Sequence, residues 1–218
     1  MYLLLLAVAL NFFKGLGNHF GHGIIIQYLS GKYREPVEEN RVFMFLDLND
    51  STAIAERLGH VKYGRFLNKC FNDLSEILPR FGAEVYQYVG DEVVMTWPIN
   101  HIVNPIRPLL LFEAYEQVLM SENEVYLDKF GIVPSFKAAI NAGPVSVSMV
   151  GGKRKEMAFH GDVLNTASRV LEQCGRLKQR ILITEAFLQL IRGSKRVTVL
   201  YLNDLFLRGK NHNTAIYS

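Results

Sequence analysis

Only two residues, Gly90 and Asp91, separate two runs rich in Val, Tyr and Trp, at 84–89 (EVYQYV) and 92–97 (EVVMTW). Two strand-like runs joined by Gly-Asp predict a hairpin, with glycine where a positive φ is required. A hairpin makes its strands antiparallel and excludes a purely parallel sheet. Upstream, 41–48 (RVFMFLDL) is a short apolar run that suits a buried strand and carries one acid, Asp47, near its end. Asn49, Asp50, Ser51 and Thr52 follow, all good helix N-caps. Ile54, Leu58, Val61, Leu67, Phe71, Leu74 and Leu78 then recur mostly at three- and four-residue steps, the stripe of an amphipathic helix. Gly59 and Gly64 are candidate breaks in it, and Pro79 and Gly82 close it.

Further along, Pro98, Pro105 and Pro108 mark an irregular loop, and 109–128 reads as one helix. Strands are expected at 136–142, 145–150 and 156–160, a helix at 163–174, and a strand at 180–184. A short helix and two strands finish the chain. The order is that of an α+β domain with a ferredoxin-like βαββαβ core and additional strands and helices. With 218 residues and 49% apolar composition the chain has ample material for a core, which excludes a disordered tail. A net charge of only +3 gives no electrostatic case for nucleic acid as a partner. Two cysteines, Cys70 and Cys174, form no CxxC pair and no disulfide framework, so a reduced cytosolic interior is the default.

Several residues invite chemistry. Asp47 ends a strand and Asp91 tips a hairpin, so on neighbouring strands their carboxylates converge. Two oxygen donors plus water and substrate phosphates are what Mg²⁺ takes. The plain alternative is an end-of-strand acid and a turn acid. The amides of 48–52, at a helix N-terminus, suit an anion, or serve only the helix cap. Asn165 and Arg169, four apart, share a helix face. Arginine there stabilises charge on phosphorus, or is simply a surface residue. Arg208 offers a further phosphate contact or a solvated charge. His19 and His22 are spaced as a metal pair but have no third ligand nearby in sequence, and 151–155 (GGKRK) is a basic turn. Neither GxxxxGK[ST] nor GxSxG occurs.

Taken together, FLDLNDST, YQYVGDE, INAGPV, FHGDVLNTASR and LRGK, in this order from Val42 onward, resemble the class III adenylyl/guanylyl cyclase catalytic domain. The resemblance implies a homodimer with two equivalent sites at its interface and two ions, Mg²⁺ or Mn²⁺, per site. Asp47 and Asp91 match the metal-binding aspartates. Asn165 and Arg169 match the transition-state pair, supplied by the opposite subunit. Leu48, Asn49, Asp50, Ser51 and Thr52, with Arg208 in place of the family's lysine, correspond to the triphosphate site. Gln87 and Ala158 stand at the base-recognition positions, where the best-known adenylyl cyclases have Lys and Asp. Asn141 stands where family members often have His. The implied reaction joins the ribose 3′-hydroxyl to the α-phosphate and releases pyrophosphate and a 3′,5′-cyclic nucleotide, with ATP the expected substrate. A guanylyl or pyrimidine nucleotide cyclase and a degenerate, non-catalytic nucleotide-binding domain are the alternatives.

Residues 1–40 are expected to be an apolar segment and linker, and 41–218 the catalytic domain. The 13-residue run MYLLLLAVALNFF is shorter than the ~20 residues of a spanning helix. A packed helix, the end of a membrane anchor that tethers a cytoplasmic catalytic domain, and a signal sequence stay open as readings. A basic start and a small-residue cleavage site, which a signal sequence needs, are missing.

Overall fold

The computed structural model describes residues 32–101, 104–152, 155–194, 196–206 and 213–218. The chain divides into two compact units. The larger comprises Asn40–Pro144 and Gly161–Ser218. In chain order the elements are β1 (Val37–Leu48), α1 (Ser51–Leu58), α2 (His60–Phe81), β2 (Glu84–Val89), β3 (Glu92–Pro98), a 3₁₀ turn (Ile99–His101) and α3 (Arg107–Ser121). They continue with α4 (Asn123–Phe130), β4 (Phe136–Val150), β5 (Glu156–His160), α5 (Asp162–Leu177), β6 (Ile181–Thr184), α6 (Glu185–Ile191), β7 (Tyr201–Leu205) and β8 (Thr214–Tyr217).

Strand order β2-β3-β1-β4 reproduces the ferredoxin-like core, and β6, β8 and β7 extend the sheet beyond β4. β6 runs parallel to β4, with Ala138 opposite Ile181, so the sheet is mixed. The β2–β3 hairpin forms as read, with Val89 opposite Glu92 and Gly90 at φ 62°. Alternation sorts β1 into two faces. Val42, Met44, Leu46 and Leu48 enter the core with Met95, Trp97, Phe66, Leu74 and Tyr115 from β3, α2 and α3. Phe43, Phe45 and Asp47 take the opposite face.

The boundaries differ from expectation in four places. The polar segment 33–40 is strand from Val37 onward. Gly59 breaks the long helix, but Gly64 lies inside α2. The expected helix at 109–128 is two, parted at Glu122. The two strands expected at 136–142 and 145–150 are one continuous strand that includes Gly143 and Pro144.

Arg41 is buried within this frame. Its Nε donates to Thr96 Oγ1 at 3.0 Å, Thr96 Oγ1 donates to the Val42 carbonyl at 2.9 Å, and its guanidinium pairs with Glu84. One side chain therefore ties β1, β3 and β2. Arg41→Ala is expected to cost about 3 kcal/mol by emptying this space and leaving its partners unpaired. Thermal denaturation reads the loss, and Arg41→Met, which refills the volume, should recover part of it.

In the smaller unit, β5 pairs antiparallel with the far half of β4, from Ser146 opposite His160 to Val150 opposite Glu156. The Tyr33 carbonyl accepts from the Met149 amide at 3.0 Å, and Glu39 accepts from the Tyr33 hydroxyl at 2.7 Å.

Candidate active site

Asp47 is the last outward-facing residue of β1 and lies directly across the ladder from Glu92. The two-residue turn places Asp91 beside them. The Asp47 and Asp91 carboxylates come within hydrogen-bonding reach of each other. From β4, Lys137 Nζ meets Asp47 Oδ2 at 2.5 Å. Tyr63 of α2 completes the group, in reach of Ser51 and feeling both aspartates.

Burial raises the Asp47 carboxyl, Lys137 opposes that rise, and the Asp91 charge adds to it. Glu92 is pushed up to about 7, first by burial and then by the charges of Asp47 and Asp91. This is the signature of carboxylates crowded into one half-buried place. Two hard oxygen donors beside one ammonium fit a divalent ion that keeps much of its water. Among the described residues no group of three His, Cys, Asp or Glu side chains is placed to cage a metal.

The crowding makes stability depend on pH. Glu92 binds its proton more tightly folded than unfolded, so its contribution is present below its ordinary 4.5 and is lost as pH rises through about 7. Glu92→Gln removes that loss. In EDTA its Tm is expected to exceed that of the parent at about pH 8, with the gap shrinking at about pH 5. A pH-independent difference would contradict the electrostatic origin.

α1 begins at Ser51, as the run of capping residues predicts, but no side chain caps it. Asp50 takes the N-cap position in the left-handed conformation, at φ 55° and ψ 28°. Asn49 is held elsewhere: its amide donates to the Ser135 carbonyl at 2.9 Å and its Nδ2 to Ser135 Oγ at 3.2 Å. The Leu48 side chain is buried in the core, while Thr52 is exposed. The anion-binding capacity of 48–52 therefore lies in the backbone amides opening α1.

α5 buries Val163, Thr166, Ala167, Val170, Leu171 and Cys174. Asn141 anchors its start: Nδ2 donates to the Val163 carbonyl at 2.9 Å, and Oδ1 accepts from Thr184 Oγ1 at 2.7 Å. A Cβ on Gly143 would lie 2.9 Å from Val163 Cγ2, so glycine permits the close approach of helix to strand. Near its other end, Cys174 Sγ donates to the Ala138 carbonyl at 3.3 Å, close to Lys137 and Asp47. Asn165 and Arg169 stand nine and five residues earlier, about 13 Å and about 7 Å along the axis and rotated about 180° and about 140° from Cys174. They project from the outer side of α5. One chain brings Asp47 and Asp91 together, while Asn165 is exposed and Arg169 half-buried, both off the face that α5 buries.

Gln87 is exposed on β2, opposite Val94, just past a register shift at Val85. Ala158 belongs to the smaller unit, buried on β5 opposite Ser148. Arg208, the Lys153-Arg154 pair, His19, His22 and residues 1–31 lie outside the described residues.

Lys137, Glu92 and Tyr63 escaped the sequence reading. Lys137 had a signal, being the one charge in FKAAINAGPVSVSMV. A lone charge in a buried strand needs a partner. Glu92 and Tyr63 had none, because only the ladder and the helix packing bring them to Asp47.

The sequence profile of the adenylate and guanylate cyclase catalytic domain matches residues 34–217. The chain belongs to this family. This cyclase domain is 31% identical over 199 residues to adenylate cyclase 2 of Rhizobium meliloti (strain 1021), covering 91% of the chain and 54% of that relative. It therefore spans about half that protein's length. Its fold is that of the adenylyl cyclase CyaB from P. aeruginosa, with TM-score 0.73 at 20% identity over 84% of this chain and 94% of that one. The guanylate cyclase domain of RhGC from Catenaria anguillulae, solved in complex with GTP, gives TM-score 0.68 at 20% identity over 83% of this chain and 96% of that one.

Proposed function

We propose that this cyclase domain converts ATP to 3′,5′-cyclic AMP and pyrophosphate, for intracellular signalling, at a site shared by two copies of the chain. The observation that carries the reading is the split described above. Asp47 and Asp91 converge at the hairpin, while Asn165 and Arg169 face outward from α5. A second copy is the natural source of the missing pair.

Asp47 and Asp91 would hold Mg²⁺ or Mn²⁺, two ions per site. When bound, these supply Lewis-acid polarisation of the phosphate oxygens and a lowered pKa for the ribose 3′-hydroxyl. The remaining work falls to the chain. The amides opening α1 bind the triphosphate, with Arg208 as a further contact. Asn165 of the second copy orients the ribose and phosphate. Arg169 of that copy meets the charge growing on the α-phosphate as pyrophosphate leaves. Gln87, with both donor and acceptor, reads the base edge, with Ala158 at the partner position. The likeness to adenylate cyclase 2 supports ATP, and the guanylate cyclase fold relative keeps GTP as the second substrate to test.

Among the described residues no helix is long and apolar enough to cross a membrane. We place the catalytic domain at 41–218, facing the cytoplasm, a reading that the two buried free cysteines support. Residues 1–35 then serve to tether the domain or to set its dimer geometry. Deleting them and finding dimerisation and activity unchanged would remove that role.

Product analysis by mass spectrometry tests the reaction. The full chain is given equal ATP, GTP, CTP and UTP, with Mn²⁺ and separately with Mg²⁺. Cyclic AMP is the expected dominant product. Cyclic GMP in its place would reassign the base, and no cyclic product from a verified dimer would leave a nucleotide-binding regulatory domain.

A further inference from the structure

Lys137 has no part in the reaction as set out above, yet it makes the closest polar contact described at the site. It reaches from β4 to Asp47 at 2.5 Å, and both side chains are about a fifth exposed, at 22% and 21%. Asp91 lies beside Asp47, and Glu92 feels the Asp47, Asp91 and Lys137 charges. A lysine ammonium is a compact point charge on a flexible stem, able to leave one partner for another. A divalent ion on Asp47 and Asp91 would face that charge across a few ångströms of half-buried space, where repulsion between like charges is strong.

We infer that Lys137 is the resident counter-cation of the aspartate pair, displaced from Asp47 when a divalent ion binds, and so sets how weakly the free protein holds its metal. The inference rests on the metal-binding role proposed for Asp47 and Asp91. It has a consequence for substrate. A triphosphate brings the anionic oxygens that a displaced ammonium needs, whereas a bare cation brings none. Lys137 therefore couples the two ligands: the metal is held weakly alone and firmly with its nucleotide.

The test is Mn²⁺ binding to the full chain without nucleotide, at about pH 8 so that the carboxylates are ionised, read by electron paramagnetic resonance of the free ion. Lys137→Met is expected to bind Mn²⁺ at least tenfold more tightly than the parent, since one opposing charge near the ion readily exceeds the energy of that ratio. Lys137→Gln, which leaves Asp47 a hydrogen-bond donor, is expected to do the same even where the methionine variant folds poorly. Lys137→Arg keeps the charge and should bind no tighter than the parent. A merely structural lysine would leave affinity unchanged or weaken it on removal. Unchanged or weaker binding in both neutral variants overturns the inference. If Asp47→Asn still weakens binding in that case, the metal reading stands. If Asp47→Asn binds Mn²⁺ as the parent does, the metal reading falls and takes this inference with it.

Discussion

Asp47→Asn is expected to lower turnover on the order of 10³-fold while leaving the fold intact. Asparagine keeps the shape of the side chain and one oxygen but removes the charge that would hold a divalent ion. Metal polarisation of a phosphoryl centre contributes several kcal/mol to the transition state, and about 4 kcal/mol corresponds to about 10³ in rate. The substitution also leaves Lys137 facing a neutral partner, in a place where the Glu92 carboxylate still feels its charge. Tm should therefore move little. Initial rates at saturating Mn²⁺ and ATP, with Tm measured on the same preparation, make the comparison. A variant with parental kcat would end the assignment of Asp47 as a metal ligand.

The second large effect is a recovery. Arg169→Ala alone is expected to lower kcat by about 10²–10³ with KM little changed, as befits a group that meets charge only in the transition state. Mixed in equal amounts with Asp47→Asn, it should regain activity. Random pairing makes half the dimers mixed, and each mixed dimer of C2 symmetry carries one site with both defects and one with neither. The mixture should then reach about a quarter of parental activity, far above either variant alone. The helix wheel gives this its force: Arg169 and Asn165 lie off the buried face of α5, while Cys174, on that face, feels the charge of Asp47. No recovery from subunits shown to exchange would place the whole site within one chain.

Much of this domain is legible without coordinates because local rules govern it. The Gly90-Asp91 hairpin, the β1 strand ending in an acid, the helix start at Ser51 and the stripe of α2 each follow from turn geometry, capping and periodicity over a few residues. The same local signals failed where one residue answers to two influences. Gly64 is helical because its neighbours in α2 bury a shared face, and Gly143 lies within β4 at the point where Val163 of α5 comes close. Proline and glycine mark breaks only when packing does not override them.

The sequence alone determined the α+β class and the family, and it singled out Asp47, Asp91, Asn165 and Arg169 as candidates, because motifs and strand order are written in consecutive residues. Tertiary structure alone decided that Lys137 sits on Asp47, that Glu92 is crowded up to about 7, and that Asn165 and Arg169 lie off the face that α5 buries. Charge interactions depend on distances between strands and helices far apart in sequence, and those distances exist only once the sheet has closed and α5 has packed upon it.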